Sequence, residues 1–387
     1  MSKKIKFAVV TLLLLASMVL SFGAGCTLTT RVIPGNAQGL EVVKESWDII
    51  FQNYVDRTKL DSANLSAGAI KGIVEALDDP YTSYMNPQAY QISTSDSQGK
   101  FDGIGATVGL RDKKLTIIAP IPDLPAAKAG IKPGDTILEI NEQSTLGMGV
   151  EEAVSRIRGA KGTAVRLLIQ HPGEANPIEI EIIRAEIKLI SVSFEMKGDI
   201  AYVNISHFTE LTNEELLPVL ASVSQNGATG IILDLRGNPG GLLDAVVDVA
   251  SHFIKEGVIV STVDNQGRKE SSSVKSGDVK TDLRMVVLTD NYSASGSEVI
   301  AGALQDYRRA YIAGTKTYGK GSVNKLYQLK DGSGLYITIG RWFTPNGRML
   351  EGEGITPDKE LELKGDDAIQ WALDLLNEEL PEQWPLP

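Results

Sequence analysis

The most constraining stretch is Gly230-Ile231-Ile232-Leu233-Asp234-Leu235, an apolar run that ends in Arg236-Gly237-Asn238-Pro239-Gly240-Gly241. A strand that is apolar at successive positions buries both of its faces. That happens in a parallel sheet covered by helices on each side. The glycine-rich turn leads into a helix over residues 242–254, and the pattern recurs. A strand over 285–289 runs into Ser293-Ala294-Ser295-Gly296-Ser297 and then a short amphipathic helix. A strand over 310–314 runs into Thr317-Tyr318-Gly319-Lys320-Gly321. With a strand over 200–206 and a helix over 213–224 ahead of them, these repeats dictate an α/β core with crossover connections.

Two of the turns carry chemistry. A serine at a tight helix entrance exposes its hydroxyl beside free backbone N–H groups, which suits a nucleophile and its oxyanion donors. A lysine between two glycines, in an apolar and β-prone neighbourhood, can come close to that serine. Desolvation lowers its pKa towards that of a general base. Gly240-Gly241 opens another helix entrance and supplies further free amides. The same residues also read as an N-cap, a tight strand–helix turn and a solvated surface lysine. From these residues alone both readings stand.

Composition narrows the class. The 387 residues suffice for two or three domains, and 42% hydrophobic with 22% charged residues is ordinary for a globular protein. A net charge of −11 argues against nucleic-acid binding. The one cysteine, Cys26, excludes an intrachain disulfide and a cysteine-based metal site. His171, His207 and His252 lack metal-ligand spacing, so neither metal nor cofactor is expected. A triad of His207 or His252 with Asp234 is a weaker alternative, because neither histidine has a nucleophile in its local context.

The N-terminus reads as an export signal: Lys3, Lys4 and Lys6, an apolar run over 8–22, then Gly23-Ala24-Gly25-Cys26. The run is about 15 residues, short of the roughly 20 that span a bilayer. The ending resembles a lipoprotein box with Cys26 lipidated, although Gly23 stands where an aliphatic residue is usual. Ordinary cleavage and an uncleaved anchor are the alternatives. Each places the mature chain outside the cytoplasm, attached to the membrane in two of the three cases. Residues 27–38 read as a tether and 39–97 as a helical arm, with helices over 40–55 and 64–77.

Residues 98–187 form a small β-rich module. Phe101-Asp102-Gly103-Ile104-Gly105 precedes an alternating strand, and Ala129-Gly130-Ile131-Lys132-Pro133-Gly134-Asp135 follows at the right distance. Together they resemble a PDZ domain. Glycines let backbone N–H groups face an anion, and an open strand edge accepts a peptide. Phe101, Gly103, Ile104 and Gly105 are the tail-binding residues this resemblance implies.

Four segments then occur in order: Asp234 to Gly241, Ser293 to Glu298, Thr317 to Gly321, and Phe343-Thr344-Pro345-Asn346-Gly347-Arg348. With Gly352 to Asp358 closing the pattern, they resemble the carboxyl-terminal processing peptidases, or tail-specific proteases. The resemblance implies an α/β peptidase core of the ClpP/crotonase-like spiral type over 188–345. It also implies an inserted PDZ domain, a C-terminal segment and helix over 346–387, and often a homodimer. It assigns Ser295 as nucleophile and Lys320 as base; the helix-entrance amides of Gly296 and of Gly240 or Gly241 are the expected oxyanion donors. Substrates would be proteins with apolar C-terminal tails. Two positions depart from the family. Asn324 stands where a glutamine usually orients the lysine, and Gly296 where alanine is common. The shorter amide is expected to miss the lysine, with Gln328 or a water in its place. A catalytically weak or silent PDZ scaffold is the alternative that Asn324 keeps open.

Overall fold

The computed structural model describes residues 36–276, 281–362 and 365–378. Its contacts divide the chain between Gly68 and Ala69. The features expected of residues 1–35, Cys26 among them, lie outside the described residues, as does the end of the C-terminal helix expected past 378.

The first unit holds the helix Asn36–Asn53, the 3-10 turn Arg57–Lys59 and the start of the helix Ser62–Glu75. Trp47 stacks on Phe51, ring centroids 4.9 Å apart, as expected of aromatics one helical turn apart. No helix among the described residues is long and apolar enough to cross a membrane.

The second unit is built on a six-stranded sheet. Its order is Val192–Lys197, Ile200–Ile205, Gly230–Asp234, Arg284–Thr289, Tyr311–Gly314 and Lys359–Glu360. The first pair is antiparallel and the others parallel. All five residues of Gly230–Asp234 are buried, as the unbroken apolar run requires. On one face Val203, Leu233, Val287 and Ile312 pack with Leu216, Val246 and Ile300, which come from the three crossover helices Thr212–Gln225, Leu243–Ala250 and Gly296–Asp306. On the other, Ile232, Val286 and Leu288 meet Ala368, Ala372 and Leu376 of the helix Asp366–Asn377.

A second, antiparallel sheet joins Ser83–Met85, Gly334–Phe343, Val258–Asp264 and Lys269–Ser273, with Ser322–Gln328 also paired to Gly334–Phe343. None of its five strands is among those the sequence pattern predicts. Burial along Ser322–Gln328 and Gly334–Phe343 is mixed, so these two carry neither a buried run nor a clean alternation. Residues 69–97, expected as part of the arm, belong to this second unit, and Ser83–Met85 is an edge strand of its sheet.

The PDZ-like module has its own sheet, built from Ala106–Arg111, Lys114–Pro120, Thr136–Ile140, Ala164–Gln170 and Ile178–Ile183, with the helix Val150–Ile157. Its core gathers Ile117, Ile137, Leu167 and Ile169, all essentially inaccessible. Asp135 holds the glycine-proline turn by accepting from Lys132 N at 2.8 Å and from His171 Nδ1 at 2.6 Å. The chain enters and leaves the module through a two-stranded ribbon, Lys100–Gly103 against Ala185–Lys188. An inserted domain whose two connections pair in this way hangs on one short neck.

Candidate active site

Three adjacent parallel strands end on the same side of the six-stranded sheet. Gly230–Asp234 runs into residues 235–242, Arg284–Thr289 into 290–295, and Tyr311–Gly314 into 315–321. Carboxyl ends of parallel strands are where open α/β sheets place their sites. The register sets Asp234 beside Leu288, and Leu288 beside Ala313, so the three turns leave the sheet side by side.

The serine turn is held in an unusual backbone state. Ser295 has φ 50° and ψ −110°, outside the ordinary basins of a residue with a side chain. It sits at the N-cap of Gly296–Asp306 and opens a capping box with Glu298. Backbone contacts reinforce it. Glu298 N donates to Ser295 O at 2.9 Å, and Ser295 N donates to Glu298 Oε2 at 2.8 Å. The flanking serines serve the scaffold. Ser293 Oγ donates to Leu235 O at 2.9 Å and Ser297 Oγ to Asn238 O at 2.9 Å. Of the three hydroxyls only that of Ser295 donates to no carbonyl among the described residues, which separates it from its neighbours on geometry alone.

The carboxylate of Glu298 ties the serine turn to the lysine turn. Oε2 accepts from Ser295 N at 2.8 Å and from Lys320 N at 2.9 Å, so the two backbones share one oxygen. Oε1 accepts from Gly319 N and Thr317 Oγ1, each at 2.6 Å. Glu298 is fully buried, and burial pushes its carboxyl above the usual range while the four donors pull it down. The motif Ser-x-x-Glu marks a capping box in the sequence, but nothing local says that the same glutamate reaches a loop from the next strand.

The lysine side chain is placed differently. Lys320 Nζ lies 5.3 Å from the ring centroid of Tyr81 and 5.8 Å from that of Tyr336. It has no hydrogen bond or ion pair among the described residues. Burial pushes its amine below the ordinary lysine value, against the opposite pull of Glu351, Asp79 and Glu298. Tyr81 is thus part of the lysine's surroundings. Asn324 is turned elsewhere. Its Nδ2 donates to Tyr81 O and Thr338 Oγ1, both at 3.0 Å, and its Oδ1 accepts from Ser322 Oγ at 2.8 Å.

The amides beside the serine differ among themselves. Gly240 N donates to Asn238 Oδ1 at 2.8 Å, so the structure withdraws Gly240 from the expected oxyanion donors. A side chain on Gly240 would come within 2.7 Å of Gly296 N and 2.9 Å of Ser295 Cβ, so the need there is for space. Gly241 N has no acceptor among the described residues, and Gly296 N, at the first helical position, has none within the helix. A side chain on Gly296 would lie 3.4 Å from Gly241 N, which puts the two amides on one small concavity. Asn238 was quoted in the turn motif without a role. It is fully buried, and its Nδ2 donates to Ile205 O at 2.8 Å, locking the turn to the neighbouring strand.

The structure sets the histidines apart from Asp234. The Asp234 carboxylate is held by Arg236 Nη2 at 2.6 Å and Tyr202 Oη at 2.9 Å. His207 Nδ1 hydrogen-bonds with Ser206 Oγ at 2.8 Å, and His252 Nε2 with Asn213 Oδ1 at 2.7 Å.

In the PDZ-like module, Ile104 is buried and its carbonyl accepts from Ala126 N at 2.8 Å. Gly105, at φ +71°, carries no side chain because Leu124 Cβ lies 2.6 Å from where its Cβ would be. The amides of Ile104 and Gly105 find no acceptor among the described residues. The ring of Phe101 packs under Arg158, whose guanidinium lies 4.1 Å from the ring centroid, and over Gly103. This leaves Phe101 a wall of the neck.

Comparison with known proteins agrees with this anatomy. Residues 199–361 match peptidase family S41, residues 91–170 match the PDZ domain, and residues 26–89 match the N-terminal domain of the activating protease CtpB. The chain is 36% identical over 366 residues to a carboxy-terminal-processing protease of Bartonella bacilliformis, covering 92% of this chain and 82% of that one. It is 35% identical over 340 residues to the carboxy-terminal processing protease CtpB of Bacillus subtilis, covering 85% and 70%. Among solved structures, the photosystem II D1 C-terminal processing protease matches with a TM-score of 0.52 and 27% identity, covering 88% of this chain and 97% of that one. An α/β core with its three convergent turns, an inserted PDZ domain on a paired-strand neck, and relatives matched along nearly the whole chain place this protein among the carboxy-terminal processing proteases of peptidase family S41, which are serine peptidases.

Proposed function

We propose that this chain cuts protein substrates with a Ser295–Lys320 dyad after capturing their C-terminal tails in the PDZ domain. The observation that carries this reading is the shared Glu298 oxygen, which fixes the backbones of Ser295 and Lys320 within one hydrogen-bond shell. The free amides of Ile104 and Gly105 receive the tail carboxylate. The Nζ lone pair of neutral Lys320 takes the Ser295 hydroxyl proton, and Oγ adds to the peptide carbonyl carbon. Gly296 N–H and Gly241 N–H meet the resulting oxyanion. The lysine returns the proton to the leaving nitrogen, and water releases the acyl group by the same route in reverse. The residues assigned need no metal or cofactor.

The test is cleavage of an unfolded reporter bearing an apolar C-terminal tail by the full chain. The expected result is loss of cleavage in Ser295→Ala and in Lys320→Ala. Cleavage that survives Lys320→Ala overturns the dyad. One observation favours a second reading, a weakly active or silent tail-binding protein. Asn324 is committed to Tyr81 and Thr338, so it leaves Lys320 without an orienting amide. Tail binding without cleavage by the parent chain would select it.

The same proposal includes export by the N-terminal segment, attachment to the outer face of the membrane through that segment, and a homodimer. Fractionation with and without residues 1–26 tests the first two. Light scattering of the purified chain tests the third.

A further inference from the structure

Three carboxylates bear on Lys320: Glu351, Asp79 and Glu298. Two of them are already engaged by donors on both oxygens. Glu298 holds its four donors, and Asp79 accepts from Tyr81 N at 3.0 Å and Thr82 Oγ1 at 2.6 Å. Glu351 is not. Its Oε2 is buried with no hydrogen-bond partner among the described residues. A buried carboxylate oxygen without a donor is costly, so its persistence calls for a proton donor that visits it.

The backbone brings the segment that carries Glu351 to the lysine turn. Gly352 N donates to Gly319 O at 2.9 Å, and a side chain on Gly321 would come within 2.0 Å of Glu351 N. The segment carrying Glu351 is therefore pressed against both glycines that flank Lys320. The remaining ionisable groups around the amine are Tyr81 and Tyr336, whose ring faces it overlooks. Glu351 is also the foremost charge acting on the Tyr81 hydroxyl, followed by Tyr318 and Glu298. Glu351, Lys320 and Tyr81 form one cluster, and Asn324 is bonded away from it.

We propose that Glu351 is the positioning residue of Lys320, its free Oε2 accepting a hydrogen bond from the ammonium formed when Nζ takes the Ser295 proton. This rests on the Ser–Lys reading above. Each catalytic half-step leaves one extra proton on Nζ, and that proton must stay near the site until the leaving nitrogen takes it. The ammonium, covered by the faces of Tyr81 and Tyr336, then has, among these three carboxylates, one with an oxygen that no other donor holds. The role that a glutamine amide would fill at position 324 passes to a carboxylate on another segment. A carboxylate also favours the protonated lysine, so it sets the pH at which Lys320 becomes a base.

The experiment is the pH profile of kcat/KM for the full chain, Glu351→Gln and Glu351→Ala, with Ser295→Ala and Lys320→Ala alongside. Glu351→Gln keeps the length and removes the charge, so the acidic limb is expected to move to lower pH by about one unit. Glu351→Ala is expected to move the limb likewise and to lower kcat about 10- to 100-fold with KM nearly unchanged. A structural role would lower activity at every pH and leave the limb in place. If both dyad variants are dead and the limb stays put in Glu351→Gln, this inference is overturned and the dyad stands. If Lys320→Ala stays active, the dyad falls and takes the inference with it.

Discussion

The two halves of the proposed dyad are held by the same carboxylate but in different ways. On the serine side the backbone does the positioning. Ser295 is forced to φ 50° by the turn and the helix entrance, and its Oγ then points where the fold puts it. On the lysine side Glu298 fixes only the backbone, and the long side chain ends in an amine with no hydrogen bond among the described residues. The lesson is one of degrees of freedom. A serine has one rotatable bond between backbone and oxygen, so fixing the turn fixes the nucleophile. A lysine has four before its nitrogen, so fixing the loop leaves the base to its surroundings.

Substitutions that strike one half, both, or the other half test this contrast. Gly241→Ala strikes the serine side. Its Cβ would lie 2.0 Å from Phe208 O, so the turn must move and carry the oxyanion amide with it. The expected cost is on the order of 10²–10³ in kcat, and a variant with unchanged kcat would show that Gly241 N–H is not a donor. Glu298→Gln strikes both halves. An amide must turn its NH₂ towards two donors, at a cost of roughly 3 kcal/mol in unfolding free energy and about 10²-fold in activity. Denaturant unfolding beside kinetics checks it; stability lost with kcat preserved would mean that Glu298 holds the fold but not the dyad. Asn324→Gln strikes the lysine side alone. Freed from Tyr81 O and Thr338, the longer amide can reach Nζ, so kcat should rise about 3-fold while stability falls by about 1 kcal/mol. A fall in both would show that the tether to Tyr81 matters more than the reach.

Legibility followed the range of each signal. The strand Gly230–Asp234, the serine run and the PDZ glycines lie in short, strongly patterned stretches, and the structure puts helices, turns and strands there with shifts of a few residues. The antiparallel sheet was missed because Ser322–Gln328 and Gly334–Phe343 are partly exposed on both faces, which blurs their period. The helix Pro87–Ser97 was also missed, although Asn86 caps it by accepting from Ala89 N at 2.8 Å. Its run of serines and threonines reads as loop chemistry.

By itself the sequence determined which central strands of the six-stranded sheet are buried, where their turns fall, and which residues are the candidates for nucleophile, base and amide donors. Those properties are written in local pattern: periodicity, glycine, and side-chain chemistry at a turn. Only the tertiary structure decided that Gly241 rather than Gly240 has the free amide, that Asn324 faces Tyr81, and that Glu298 and Glu351 converge on Lys320 from opposite sides in the chain. Each of those outcomes depends on which hydrogen-bond partner arrives first from another segment. That competition is settled by packing between parts of the chain far apart in sequence, and no local pattern records it.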